Sequence, residues 1–442
     1  MIFVSEVALV EGRVVPEFAI RVEAGAIVAV GERMSLAPRA GEPVVDLGRR
    51  AMLPGTVNAH NHSFQSLLRG FGDDLPFLEW RDRALYRFSP LLDEEGVYTG
   101  ALFAFAEMAL HGVTTVCDFF YLNNDGNDNA RAVIRAARAL GMRLVLARCF
   151  YDWDGAPAMY RESIPDARRR FEELHREFAK DEMVTLCPAP HSLHGASAEM
   201  IRAGAEAARA AGVPWHIHLA EEKYQVDEAR AKYGTTPLRA IEKLGLLGPD
   251  LVAVHGCWFD EGERALLAEA GARLAYNPGS NMFLGDGVTD VVDLLARGCR
   301  IALGSDGGCS NSRVSVFDEM RTCALLQKVA RALAGAPDAG QAIDAESCFR
   351  MGTSGGGEVL GLPVGRLAVG HRADLVFVDL DDPSLWPEQS LAKNVVYSMS
   401  PRAITDVFVD GREVVRDRAL VNVPLSEVQS RVRALTHDWT RD

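Results

Sequence analysis

A repeat in the middle of this chain limits its fold more than any other feature. Eight short apolar runs, at 52–58, 113–119, 144–150, 184–188, 214–219, 251–255, 273–277 and 300–304, are separated by longer stretches rich in alanine and charge. An unalternating apolar run of this length reads as a strand buried on both faces. The stretches between them, such as 199–211, 237–244 and 260–270, repeat apolar residues with the spacing of an amphipathic helix. Eight buried strands, each followed by a helix, predict an α/β fold: a closed (β/α)8 TIM-like barrel. A doubly wound open sheet is the rival topology. It would carry a glycine-rich phosphate loop after an early strand, and the sequence has none.

Both chain ends have a different texture. Residues 20–23 alternate apolar and polar, Ala24-Gly25 makes a turn, and 26–30 is apolar again; near the other end, 373–378 and 405–409 lead into the hairpin signal Asp410-Gly411. Chain termini often lie close together, so the two ends are expected to form one small β-sandwich domain, residues 1–55 and 365–442, around a barrel of residues 56–364.

Composition excludes several function classes. A net charge of −14 repels phosphate backbones and anionic membranes. No run approaches the ~18 apolar residues of a membrane span. The eight cysteines form no C-x-x-C pair, so a thiolate zinc cluster is not expected; most lie in apolar runs as small buried hydrophobes. Neither nucleic acid nor membrane is an expected partner, and a reducing cytoplasm is the expected compartment.

Catalytic groups of such barrels project from the C-terminal ends of strands. The first run leads into Asn58-Ala59-His60-Asn61-His62, where alternation puts His60 and His62 on one face. The fifth ends in His216-Ile217-His218, with Glu221 three residues on; the sixth ends in His255, and the eighth in Gly304-Ser305-Asp306. His60, His62, His218 and Asp306 make three imidazoles and a carboxylate. This is the donor set of a catalytic Zn²⁺ or Fe²⁺ with one position left for water. Each residue alone has a plainer explanation: an incidental His-x-His, a core histidine, a helix-capping aspartate. Their shared placement at strand ends, among only 11 histidines, is what points to a site.

Pro54-Gly55-x-x-Asn58-x-His60-x-His62, His218-Leu219-x-Glu221, His255 and Gly304-Ser305-Asp306 resemble the amidohydrolase superfamily, in its deaminase and chlorohydrolase branch. Gly365-Arg366-Leu367-x-x-Gly370-x-x-Ala373-Asp374-Leu375 is similar to that branch's return into its small β-domain. The resemblance implies that His60, His62, His218 and Asp306 bind one divalent metal, zinc before iron. No lysine closes the fourth run, as it does in two-metal members. It further implies that Asp306 takes a proton from the attacking water, His255 stabilises the tetrahedral oxygen, and Glu221 carries protons to the leaving nitrogen. Glu222 is expected to be a solvated charge, and His111, His175, His216, His371 and His437 to have no part.

Two substrate classes are implied. Leu67-Leu68-Arg69-Gly70, Asp73-Asp74-Leu75-Pro76 and Asn277-Pro278-x-Ser280-Asn281 resemble methylthioadenosine and S-adenosylhomocysteine deaminases. Ser63-Phe64-Gln65, Trp80-Arg81, Phe120-Tyr121 and Pro190-His191-Ser192-Leu193 resemble formimidoylglutamate deiminase, which has an arginine where this chain has His194. Gln65 and Arg81 can hold a carboxylate, arginine through a bidentate fork; an ion pair with Glu79 is the plain alternative for Arg81. Tyr121, His191 and His194 complete the expected substrate contacts, and Phe119, Phe120 and Trp153 are either pocket wall or core. A small-molecule aminohydrolase working as a homo-oligomer is the expectation. An s-triazine hydrolase, or a barrel kept only for binding, is the alternative.

Overall fold

In the computed structural model of the chain, which describes residues 1–124 and 126–440, both ends join one nine-stranded sheet. The N-terminal part supplies β1 (Ile2–Val10), β2 (Arg13–Glu23), β3 (Ala26–Glu32), β4 (Val44–Asp46) and β5 (Arg50–Pro54). Eight strands follow: β6 (Thr56–Asn61), β7 (Val113–Phe120), β8 (Arg143–Phe150), β9 (Val184–Pro190), β10 (Trp215–Leu219), β11 (Leu251–His255), β12 (Arg273–Tyr276) and β13 (Arg300–Leu303). The far end returns β14 (Leu375–Asp379), β15 (Ile404–Val409), β16 (Arg412–Arg416) and β17 (Ala419–Leu420) to the first sheet.

The two ends meet where β14 pairs antiparallel with β5, Leu375 opposite Pro54 and Asp379 opposite Arg50. Phe408 packs edge to face against both Phe3 and Phe377 in the core of this sheet, its centroid 4.9 Å from that of Phe3. Ala24-Gly25 and Asp410-Gly411 turn their hairpins with both residues at positive φ, as a type I′ turn requires. The first apolar run is not one strand. Gly55 divides it, giving Arg50–Pro54 to the terminal sheet and Thr56–Asn61 to the barrel. A Cβ at Gly55 would lie 2.2 Å from the Thr114 hydroxyl.

The eight middle strands are parallel and almost wholly buried, in two four-stranded ladders, β6–β9 and β10–β13. Isolated contacts close the two seams. His218 donates its backbone N–H to the His191 carbonyl (3.0 Å), and Asp306 donates to the His60 carbonyl (3.0 Å). Asn58 ties the second seam further: its side chain donates to the Ser305 hydroxyl at 2.7 Å and accepts the Ser305 N–H at 3.0 Å. The barrel therefore closes through the same residues that carry the candidate chemistry. Between β6 and the long helix Glu94–Leu110, residues 63–91 form a chain of short helical turns over one side of the barrel mouth. Trp80 pins them by donating to the Cys309 carbonyl at 2.9 Å. Among the described residues no helix is long and apolar enough to cross a membrane.

Candidate active site

The sequence places four imidazoles and two carboxylates at strand ends, and the fold gathers them at one rim. His60 Nε2 lies 3.4 Å, and His62 Nε2 3.3 Å, from Asp306 Oδ1. The Nε2 atoms of His60 and His218 are 3.3 Å apart. Glu221, His255 and Asp306 form an adjoining cluster, with Glu221 Oε1 3.4 Å from His255 Nε2. Ala220, His255 and Asp306 have φ of 50°, 74° and 57°. Non-glycine residues held in this region store strain and concentrate at functional sites; here they turn the chain sharply at the ends of β10, β11 and β13.

Two of the imidazoles have their outer nitrogens committed. His62 Nδ1 lies 2.6 Å from the Phe119 carbonyl and His218 Nδ1 2.7 Å from the His191 carbonyl. A carbonyl only accepts, so Nδ1 carries the proton and Nε2 is a bare lone pair. Two lone pairs and a carboxylate oxygen thus converge on one small space. That arrangement repels itself without a cation in its midst, so these residues fit a divalent metal.

The electrostatics point the same way. Burial holds His60 down to about 3, and burial with the neighbouring imidazoles holds His218 well below 6.5, so both are neutral donors at pH 7. Burial alone would push Asp306 up. The hydrogen bond from His60 and the surrounding imidazoles nevertheless hold its carboxyl well below the usual range. Its outer oxygen, Oδ2, accepts from the Ser280 hydroxyl at 2.6 Å and the Ser310 hydroxyl at 3.2 Å. Glu221 goes the other way: burial, reinforced by the Asp306 charge, holds its carboxyl well above 4.5. Gln225 brackets it, its Oε1 accepting the Glu221 N–H at 3.0 Å. The two neighbouring carboxyl groups are pushed in opposite directions, the pattern by which environment separates an acid from a base.

A cavity of about 60 Å³ lies over these groups, lined by His62, His218, Glu221, His255 and Asp306 on its floor and by Gln65, Arg81, Tyr121, His191 and His194 on its walls. Gln65 is already committed, donating to the Tyr121 hydroxyl at 2.7 Å and accepting from the Cys309 thiol at 3.2 Å. Arg81 stacks over Tyr86 (4.9 Å) and Trp153 (5.9 Å), and its Nε donates to Asp82 at 2.8 Å rather than to Glu79. Burial, helped by the Arg81 charge, lowers His194 to about 4, leaving it neutral. A second, larger cavity of about 460 Å³ adjoins the first, sharing His194 and His218 as lining.

Phe119 packs its ring against His60, His62 and His218, while Phe120 lies in the core against Phe64. Trp153 lines the larger cavity. Glu222 is not the solvated charge expected of it: it is half-buried, and its charge bears on the buried Asp286. His216 is buried, its Nδ1 4.0 Å from the Cys117 sulfur. Sequence reasoning missed Ser310, Asp286 and the wall residues Tyr86, Tyr151 and Tyr160. It noted Ser280 and Asn281 only as parts of a resembling motif.

Residues 51–414 match the Amidohydrolase family. The chain is 36% identical over 427 residues to a 5-methylthioadenosine/S-adenosylhomocysteine deaminase of Syntrophobacter fumaroxidans, covering 96% of this chain and 94% of that protein. It is 33% identical to a 5'-deoxyadenosine deaminase of Methanothermobacter thermautotrophicus, covering 87% of each. Among solved structures, an adenosine deaminase from Xanthomonas campestris with bound zinc superposes with a TM-score of 0.90 at 28% identity, over 99% of this chain and 97% of that one. A zinc-bound atrazine chlorohydrolase from Arthrobacter aurescens shares the fold, with a TM-score of 0.90 at 23% identity over 98% and 99% of the two chains.

Proposed function

The chain belongs to the amidohydrolase family, and from that premise we propose that it deaminates a small amino-substituted N-heterocycle or nucleoside, with His60, His62, His218 and Asp306 holding one zinc ion. It is a metal-dependent hydrolase of non-peptide carbon–nitrogen bonds. The observation that carries the reading is geometric: Asp306 Oδ1 lies 3.4 and 3.3 Å from the Nε2 atoms of His60 and His62, and Glu221 Oε1 lies 3.4 Å from His255 Nε2 beside the same cluster. Zinc is favoured over iron by the nitrogen-rich donors and by the zinc in a structural relative. When bound, the metal supplies a Lewis acid that brings the pKa of a water towards about 7.

The chain's own residues divide the remaining work. Asp306, steadied by Ser280 and Ser310, takes a proton from the attacking water. Glu221 protonates the amidine nitrogen, takes up the proton of the added hydroxyl as the carbonyl forms, and passes it to the departing amine; the proton held by Asp306 then restores Glu221 for the next turnover. His255 stabilises the developing oxyanion. Gln65, Tyr121, Arg81, His191 and His194 are the substrate-facing wall. We assign residues 56–364 to the catalytic barrel, with 1–55 and 365–442 as the small β-domain. The working setting is a cytoplasmic homo-oligomer acting on a metabolite, without nucleic acid or membrane.

A carboxylate-bearing acyclic amidine, such as a formimino amino acid, is the second reading. Arg81 favours it: the guanidinium is on the pocket wall, and Asp82 engages its Nε. Identity of 36% and 33% to named deaminases, against 23% to the atrazine chlorohydrolase, favours deamination over triazine dechlorination. The test is ammonia release by zinc-loaded protein across adenosine derivatives, formimino amino acids, other aminated heterocycles and triazines. At least one amidine is expected to turn over, and Glu221→Gln to abolish it with the fold intact. A near-normal rate in Glu221→Gln would overturn the proton role.

A further inference from the structure

The imidazoles at the rim are sorted by what their Nδ1 atoms meet. His62 and His218 meet carbonyl oxygens, which leaves their Nε2 atoms as lone pairs. His255 meets the opposite kind of partner. Asn281 Nδ2 lies 2.9 Å and Asn277 Nδ2 3.3 Å from its Nδ1, and both are N–H donors. An Nδ1 that accepts a hydrogen bond leaves the ring proton on Nε2. That Nε2 is buried, without a hydrogen-bond partner in the protein, and points towards Glu221.

We propose that Asn281 is a positioning residue that fixes His255 as the Nε2–H tautomer, so that this ring donates to the reacting oxygen instead of joining the metal as a further nitrogen ligand. The amide is itself held in orientation. Its Nδ2 also donates to Asp286 Oδ2 at 2.9 Å, and the Asp286 backbone N–H donates to the Asn281 carbonyl at 2.9 Å. In this orientation Nδ2 serves two acceptors at once, His255 Nδ1 and Asp286 Oδ2, both at 2.9 Å. The backbone beneath the ring is pinned as well: His255 sits at φ 74°, and the Thr289 hydroxyl donates to its carbonyl at 2.8 Å. Two consecutive residues in the helix Pro278–Leu284 thus reach both catalytic groups, Ser280 holding Asp306 and Asn281 holding His255.

The consequence for catalysis rests on the reading of His255 as the group facing the oxygen; the tautomer does not, and is measured separately. Long-range ¹H–¹⁵N spectra of zinc-loaded protein labelled at histidine, assigned against His255→Gln, are expected to show a bare Nδ1 and a protonated Nε2 at His255. Asn281→Asp presents an acceptor to Nδ1 and is expected to move the proton there. Turnover should then fall about 100-fold, the size of losing one oxyanion donor, with KM and zinc stoichiometry held. Asn281→Leu, which neither donates nor accepts, should lose less. A protonated Nδ1 in the unmutated protein, or full turnover in Asn281→Asp, overturns the proposal. If Asn281→Asp does not fold, the spectrum of the unmutated protein decides alone. Absence of ammonia from every compound in the panel would instead count against the deaminase reading, leaving the tautomer legible.

Discussion

Ser280→Ala tests whether the orientation of Asp306 matters apart from its charge. The Ser280 hydroxyl donates to Asp306 Oδ2 at 2.6 Å, the shorter of two such bonds; Ser310 supplies the other at 3.2 Å. A hydrogen bond to an ionised group contributes about 1.5–3 kcal/mol. Ser280→Ala removes one methylene-borne hydroxyl, leaves no bulky cavity, and keeps Ser310 in place. If the bond acts on the transition state, kcat/KM should fall by roughly 10- to 150-fold, since each 1.36 kcal/mol is a factor of ten. Ser310→Ala, losing the longer bond, should fall less. The double variant should fall by more than the product of the two single losses, because only it leaves Oδ2 with neither hydroxyl. The assay is ammonia release at saturating zinc, with metal content measured alongside. A Ser280→Ala protein with unchanged kcat/KM and full zinc would refute the claim that this hydroxyl positions the proton acceptor.

Two further outcomes follow from charges in and near the pocket. His194→Arg puts a permanent cation beside Arg81 where a neutral imidazole stands. It should lower KM for a carboxylate-bearing amidine at least several-fold relative to an uncharged one, and equal effects on both would remove the second substrate reading. Glu319 is buried, accepting from the Gly279 N–H at 2.8 Å and the Asn311 amide at 2.7 Å, and burial raises it to about 8. A raised folded-state value means its contribution is fully present below about 4.5 and is lost as pH rises towards 8, an effect on the order of 4 kcal/mol. Denaturant titrations of Glu319→Gln should therefore show a flatter decline in stability between pH 5 and 8 than the unmutated chain; an unaltered slope would contradict this.

Much of the architecture was written in local pattern. Unalternating apolar runs and intervening amphipathic stretches are properties of neighbours in sequence, so the barrel and the two β-rich ends could be read without coordinates. The candidate ligands were legible for the same reason. Strand alternation sets His60 and His62 on one face, and the end of a barrel strand is a known place in space, so His218, His255 and Asp306 could be put at one rim. The domain boundary at 55–56 was legible, but the run 52–58 read as one strand, because its break depends on Thr114 of a neighbouring strand leaving no room for a Cβ at Gly55.

Tertiary structure alone decided what each of these groups does at the rim. That His62 and His218 present lone pairs depends on carbonyls from β7 and from the segment after β9, and that His255 faces amides depends on the turn after β12. Likewise the hydroxyls on Asp306 come from two separate short helices, and Arg81 takes Asp82 rather than Glu79. Residue identity and spacing determine which donors a chain can bring to a site. Protonation and tautomer depend on burial and on hydrogen-bond partners distant in sequence, and these exist only once the barrel has closed.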